Sequence, residues 1–268
     1  MELYDKVYEV YEGFWRGPAE TYSHYKLKQT LLYLIKSELR LNNRSILLDV
    51  GCGIGTDLNM LSVSGIEGEF LGLDISFVAI KKANELTKRR GKQNFYWIVA
   101  SAEHLPIRDD IIDIIISSEV AEHLQNPLAF LSETKRVLKK GGVLVLTTPN
   151  PDYLLGKIAK LLPRKVKDML DEEQQWHLKR ISPELSTFEW EKGHISIMSL
   201  KSWEKLIERA GLKIDKIRGS AIFGGHAWLD KHSLVLGIII VLDSLVSVLV
   251  GFSKHLHFNL LIKCRKVS

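Results

Sequence analysis

Ile46-Leu47-Leu48-Asp49-Val50-Gly51-Cys52-Gly53-Ile54-Gly55-Thr56-Asp57 is an apolar run that breaks into three glycines at alternate positions. A run of this length bounded by glycine reads as a buried strand, 46–50, entering a tight turn and then a helix that opens near Thr56. Glycine lets the backbone turn sharply and lets a ligand approach where a Cβ would collide, so the turn predicts a nucleotide pocket. The spacing is G-x-G-x-G, with Thr56 where a dinucleotide-binding fingerprint has its third glycine. Asp49 stands two residues before the first glycine. A carboxylate there repels a pyrophosphate but suits a ligand that carries an amino group and a positive charge.

Phe70-Leu71-Gly72-Leu73-Asp74 is a second apolar strand, and its Asp74 lies 23 residues after Gly51, near the spacing at which an acid binds ribose hydroxyls. With the D-x-G-x-G-x-G form of residues 49–55, the chain resembles the class I S-adenosylmethionine-dependent methyltransferases over most of its length. The resemblance implies an S-adenosyl-L-methionine cofactor contacted by Asp49, Gly51, Cys52, Gly53, Gly55, Asp74, Ile75, Ser101, Ala102, Glu103, Ser118 and Glu119. One position departs from the pattern. Members commonly have Gly-Asp-Ala where this chain has Ala100-Ser101-Ala102, so a neutral hydroxyl replaces the carboxylate that accepts from the adenine amino group.

At 268 residues the chain fits one α/β domain with insertions. A formal net charge of +5 is mild and does not demand nucleic acid. The two cysteines, Cys52 and Cys264, read as thiols of a reducing compartment. The first residues carry neither a basic leader nor an apolar core, so a cytoplasmic location is expected, with membrane association as an added option.

Taken in order, Tyr4, Tyr8, Tyr11, Phe14 and Trp15 mark a helix face that either packs on the domain or lies over the cofactor as a lid; an amphipathic helix follows at 27–41. Ser76 is an N-cap for a helix that Gly91 ends. Strands are expected at 95–99, 111–117 and 143–147, with a helix at 130–139 and a turn at Gly141-Gly142. After a loosely patterned stretch come a helix at 200–210, a strand at 212–218 and a last strand at 256–267. The alternation predicts a doubly wound, Rossmann-like, seven-stranded and mostly parallel sheet with helices on both faces. The expected units are a helical lid (1–44), a cofactor-binding core (45–150), a helical cap insertion (151–198) and a C-terminal part (199–268).

Two stretches invite a membrane reading. Residues 153–170 set Lys157, Lys160, Arg164 and Lys167 opposite Leu155, Ile158, Leu162, Val166 and Met169, the layout of an interfacial helix or of a solvated basic lid. Residues 234–252 hold one charge, Asp243, in nineteen residues. Spanning is disfavoured by that acid, which costs roughly 2.5 to 3.5 kcal/mol at a bilayer centre, and by the strand that follows it. A covered helix ranks first, monotopic contact second and a span third. Together, 151–194 and 234–252 are expected to roof the reaction site and to favour acceptors with apolar tails.

Methyl transfer is an in-line displacement that asks chiefly for alignment in a dry pocket, and an oxygen nucleophile gains from a base active near neutral pH. The candidates are His123, after the fourth strand, and His194, in a Gly193-His194-Ile195-Ser196 segment resembling the histidine segment of quinone O-methyltransferases. For each, the bland alternative is a structural hydrogen bond. Leu138-Lys139-Lys140-Gly141-Gly142 with Thr148-Pro149-Asn150 also resembles the quinone-biosynthesis methyltransferases. Glu119 and Glu122 read as positioning groups. No Asn-Pro-Pro-Tyr element follows the fourth strand, which disfavours nucleic-acid bases, and no metal-ligand spacing is seen. The expectation is methylation of a small, hydrophobic or lipid-like acceptor, at oxygen, with a homodimer as an option. The alternatives are a nicotinamide-dependent oxidoreductase and a non-catalytic cofactor-binding protein.

Overall fold

The computed structural model describes residues 18–38, 45–153, 157, 161, 195–220, 232–249 and 257–267. Its elements run α1 (Pro18–Lys36), β1 (Ser45–Val50), α2 (Thr56–Val63), β2 (Gly68–Asp74), α3 (Phe77–Arg89), β3 (Phe95–Val99), β4 (Ile112–Ser118), a 3-10 turn (Ala121–His123), α4 (Pro127–Val137), β5 (Leu138–Pro149), α5 (Leu200–Arg209), β6 (Lys213–Gly219), α6 (Ser233–Leu249) and β7 (Asn259–Arg265). The seven strands form one sheet in the order β3-β2-β1-β4-β5-β7-β6. β7 runs antiparallel to both of its neighbours, and β1 to β5 are mutually parallel. Strand order reverses between β1 and β4. The crevice outside their carboxyl ends is therefore where an open sheet of this kind receives a ligand.

Both faces of the sheet are covered, as the unbroken apolar strands require. On β1, Leu48 and Val50 point to a layer holding Phe130 and Leu131 of α4 and Trp203 and Ile207 of α5. Leu47 points to the opposite layer, with Leu27, Leu31, Leu34 and Ile35 of α1 and Leu58 and Leu61 of α2. Each of these α1 side chains is essentially inaccessible and contributes about 1.5 to 3 kcal/mol by leaving water.

Several boundaries differ from the sequence reading. The helix expected at 27–41 is α1, which starts at Pro18, a residue suited to a first turn because it has no N–H to satisfy. The turn expected at Gly141-Gly142 lies inside β5. Gly141 takes a left-handed φ of 80°, its N–H donates to Lys266 O at 2.8 Å, and Lys266 N–H donates to Gly142 O at 3.0 Å. Pairing with the chain just after β7 keeps the glycines in the sheet, but they bulge from it: Leu138 pairs with Ile112 and Val143 with Ile114, so five steps of β5 answer two of β4. The aromatic face at 4–15, most of the basic helix at 153–170 and most of the cap insertion lie outside the described residues.

The apolar helix forms as α6, and over residues 234–243 protein covers one side of it. Leu236 and Asp243 are buried, whereas Leu234, Ile238, Val241 and Leu242 are exposed. Asp243, the acid that argued against a span, is the docking pin: Tyr22 Oη donates to its Oδ2 at 2.6 Å and Lys26 Nζ lies 3.3 Å away. Among the described residues, no helix is long and apolar enough to cross a membrane.

Candidate functional site

The glycine turn leaves β1 at the switch point. Gly51, Gly53 and Gly55 all have left-handed φ, at 76°, 52° and 80°, which side chains with a Cβ seldom adopt. The turn is tied to the next strand, since Leu73 O accepts from Gly51 N–H at 2.7 Å and from Cys52 N–H at 3.0 Å. Asp74 completes the tie. Its Oδ2 accepts from Gly53 N–H at 2.8 Å and its Oδ1 from Ser76 N–H at 2.9 Å, while the Ser76 hydroxyl caps α3 by accepting from Ala79 N–H. Two acids read separately in the sequence thus border one turn.

Two of the glycines clear space for protein rather than for a ligand. A Cβ on Gly51 would sit 2.3 Å from Val120 Cγ2, and one on Gly55 would sit 2.2 Å from the Trp97 ring. Gly72 is open for the same indole, at 2.3 Å. Trp97, held by its Nε1–H donating to Thr87 Oγ1 at 3.1 Å, is therefore the floor of the turn. Cys52 is buried beside it, and burial pushes its thiol well above the usual range, so this cysteine is not a nucleophile.

The opposite wall comes from β4, β5 and α1. Lys28 Nζ lies 2.6 Å from the Asp57 carboxylate and 3.2 Å from Ser118 Oγ. Ser118 Oγ is 3.3 Å from Thr147 Oγ1, which donates to Glu119 Oε1 at 2.7 Å and accepts from Glu119 N–H at 3.0 Å. With the Thr147 proton given to Glu119, the Ser118 hydroxyl is the donor to Thr147. Glu119 itself has φ 56°, a conformation costing on the order of 1 to 3 kcal/mol that persists because this network holds it.

Asp49 is buried between these walls. Burial first, then the nearby Asp57, pushes its carboxyl well above the usual range, and Lys28 pulls it partly back. Glu122, in the 3-10 turn, is also buried, and neither side-chain oxygen has a hydrogen-bond partner among the described residues. Burial, with Glu119 next, pushes it up to about 9, so it is a neutral acid at physiological pH and no base. His123 is its half-buried neighbour. His194 lies outside the described residues; the chain resumes at Ile195, and Ser196 is stitched to the same turn, donating from N to Glu122 O at 2.8 Å and from Oγ to Leu124 O at 2.6 Å.

The remaining candidates line the β2–β3 side. Ile75 is 40 % exposed beside Asp74. Ser101 Oγ accepts from Glu103 N–H at 3.2 Å and keeps a further lone pair, and Ala102 is buried. Glu103 Oε1 accepts from Asn126 N–H at 2.8 Å, which joins the loop after β3 to the start of α4. Sequence reading missed Lys28, Trp97, Val120 and Thr147. Only Thr147 left a signal, a hydroxyl at the end of an otherwise apolar strand.

A left-handed glycine turn, a buried carboxylate, Asp74, tied to it, and an exposed aliphatic side chain, Ile75, fit a cationic adenosine conjugate on a sheet of this order. These define a class I S-adenosylmethionine-dependent methyltransferase, with S-adenosylmethionine as its cofactor. The chain belongs to the methyltransferase-domain family, whose profile matches residues 20–217. It is 37% identical over 134 residues to an uncharacterized methyltransferase of Schizosaccharomyces pombe, covering 48% of this chain and 44% of that one. It is 26% identical over 171 residues to the ubiquinone biosynthesis O-methyltransferase of Thiobacillus denitrificans, covering 61% and 72%. The chain spans about half the length or less of several curated relatives it matches. Among solved structures, the putative methyltransferase of Haloferax volcanii in complex with the Trm112 activator superposes with a TM-score of 0.58 at 17% identity, over 100% of this chain and 96% of that one.

Proposed function

We propose that the enzyme methylates an oxygen of a small, hydrophobic or lipid-like acceptor. The observation carrying this reading is α6, an aliphatic helix pinned to α1 through Asp243, Tyr22 and Lys26, with Leu234, Ile238 and Val241 left exposed as apolar surface. The similarity to a ubiquinone biosynthesis O-methyltransferase supports an oxygen acceptor.

S-adenosylmethionine, when bound, supplies an electrophilic methyl group. The chain's own residues do the rest. Asp74 accepts from the ribose hydroxyls, Ile75 packs on the adenine, and the free lone pair of Ser101 accepts from its amino group. Asp49 and Glu119 offer carboxylates to the cationic end. His123 takes the proton from the acceptor hydroxyl as the new bond forms, with His194 the other candidate for that role. An aligned acceptor in a pocket free of water supplies most of the rate.

The test is incubation with S-adenosylmethionine labelled in its methyl group, against separate lipid-soluble and polar extracts of a cell. Label in the organic phase, resistant to acid but released where an ester is cleaved or retained where an ether is formed, is expected. Label confined to polar amines would overturn the reading.

A further inference from the structure

We infer that α6 seats the protein on an anionic lipid surface, lying flat on it with its outward face buried among the acyl chains. Three observations converge. The first is rotational: Leu236 and Asp243 are buried with Ile239 and Ile240 half-covered, whereas Leu234 (84 %), Val235 (37 %), Ile238 (61 %), Val241 (58 %) and Leu242 (47 %) are exposed. At 100° per residue the exposed five fall on one arc and the covered four on the other. The Tyr22 and Lys26 contacts to Asp243 fix that rotation.

The second is chemical. The outward arc is wholly aliphatic, without the Trp, Tyr, Arg or Met side chains that anchor protein partners. The helix carries no charge besides Asp243, and that acid faces inward against a lysine. A smooth aliphatic stripe matches acyl chains, which ask for no directional partner.

The third is electrostatic. In the sequence, Lys231 and His232 immediately precede α6 and Lys254 and His255 follow it within six residues, in a chain of net charge +5. Anionic headgroups complement them. Seventeen residues with one inward acid lie on a surface rather than cross it.

This docking does not depend on the identity of the acceptor, and its test uses no turnover. The full chain is floated with vesicles of phosphatidylcholine alone and of phosphatidylcholine mixed with phosphatidylglycerol, at low and high salt, beside Ile238→Asp/Val241→Asp and the control Val63→Asp, which changes a still more exposed aliphatic on α2. Thermal unfolding and S-adenosylmethionine titration check each variant. The wild type and Val63→Asp are expected to float with anionic vesicles, less so at high salt, and the double variant to bind at least about 30-fold more weakly from lost apolar burial. Three outcomes overturn the proposal: no flotation of the wild type under any condition, equal flotation of the double variant, or a wild-type dimer that the double variant dissociates while vesicle binding is absent.

Discussion

Asp74 is given two tasks that one experiment can separate. Its carboxylate holds the glycine turn through the N–H groups of Gly53 and Ser76, and it is assigned the ribose hydroxyls of the cofactor. Asp74→Ala removes both. Hydrogen bonds to a charged group are worth about 1.5 to 3 kcal/mol, so the ribose contact predicts a roughly 10- to 150-fold rise in Kd for S-adenosylmethionine. Loss of the two backbone contacts should also lower Tm. Titration calorimetry of wild type and Asp74→Ala against S-adenosylhomocysteine and its 2′,3′-dideoxy analogue closes a double-mutant cycle. Direct recognition predicts that Asp74→Ala weakens the parent ligand far more than the analogue. Equal losses for the two ligands would refute it and leave Asp74 only as the brace of the turn.

Other consequences follow from the same geometry. Gly55→Ala forces a Cβ against Trp97 in a left-handed backbone and should destabilise by about 2 to 4 kcal/mol; a denaturant midpoint within error of wild type would contradict the packing. Burial and Asp57 push the Asp49 carboxyl well above the usual range, and a cation favours its ionised form, so cofactor binding should bring it back down and release protons. Affinity then rises with pH until the free enzyme's Asp49 is ionised; calorimetry in two buffers of different ionisation enthalpy reads the released proton, and no release would refute it. Folded Glu122 ionises near 9 and the unfolded carboxyl near 4.5, so between those values the unfolded state binds fewer protons and stability falls as pH rises, by up to about 1.4 kcal/mol per pH unit. Glu122→Gln should therefore gain steadily on the wild type across that window, and parallel stability curves would sink the idea.

The core was legible because its signals are local. Buried parallel strands read as apolar runs, Ser76 announces the cap of α3, and the glycine turn and Asp74 carry fixed spacings. The contacts that finish the site are not local. Lys28 reaches Asp57 and Ser118 only because the buried stripe of α1 turns that lysine toward the crevice, and Gly51 is needed for Val120, nearly seventy residues later. Asp243 shows the limit most clearly. In the sequence it is an unexplained acid in an apolar helix; in the fold it finds Tyr22 and Lys26, more than two hundred residues upstream. The Gly141-Gly142 pair reads as a turn and forms a left-handed bulge in β5, kept within the sheet by its pairing with Lys266.

The central claim is that the crevice between the carboxyl ends of β1 and β4 holds the cofactor. A crystal structure with S-adenosylhomocysteine tests it most directly. The account predicts the ribose hydroxyls at about 2.5 to 2.7 Å from the Asp74 carboxylate, with the adenine against Ile75 and the amino-acid end toward Asp49 and Glu119. Ligand bound at any other edge of the sheet, or in this crevice with its ribose turned away from Asp74, would contradict it.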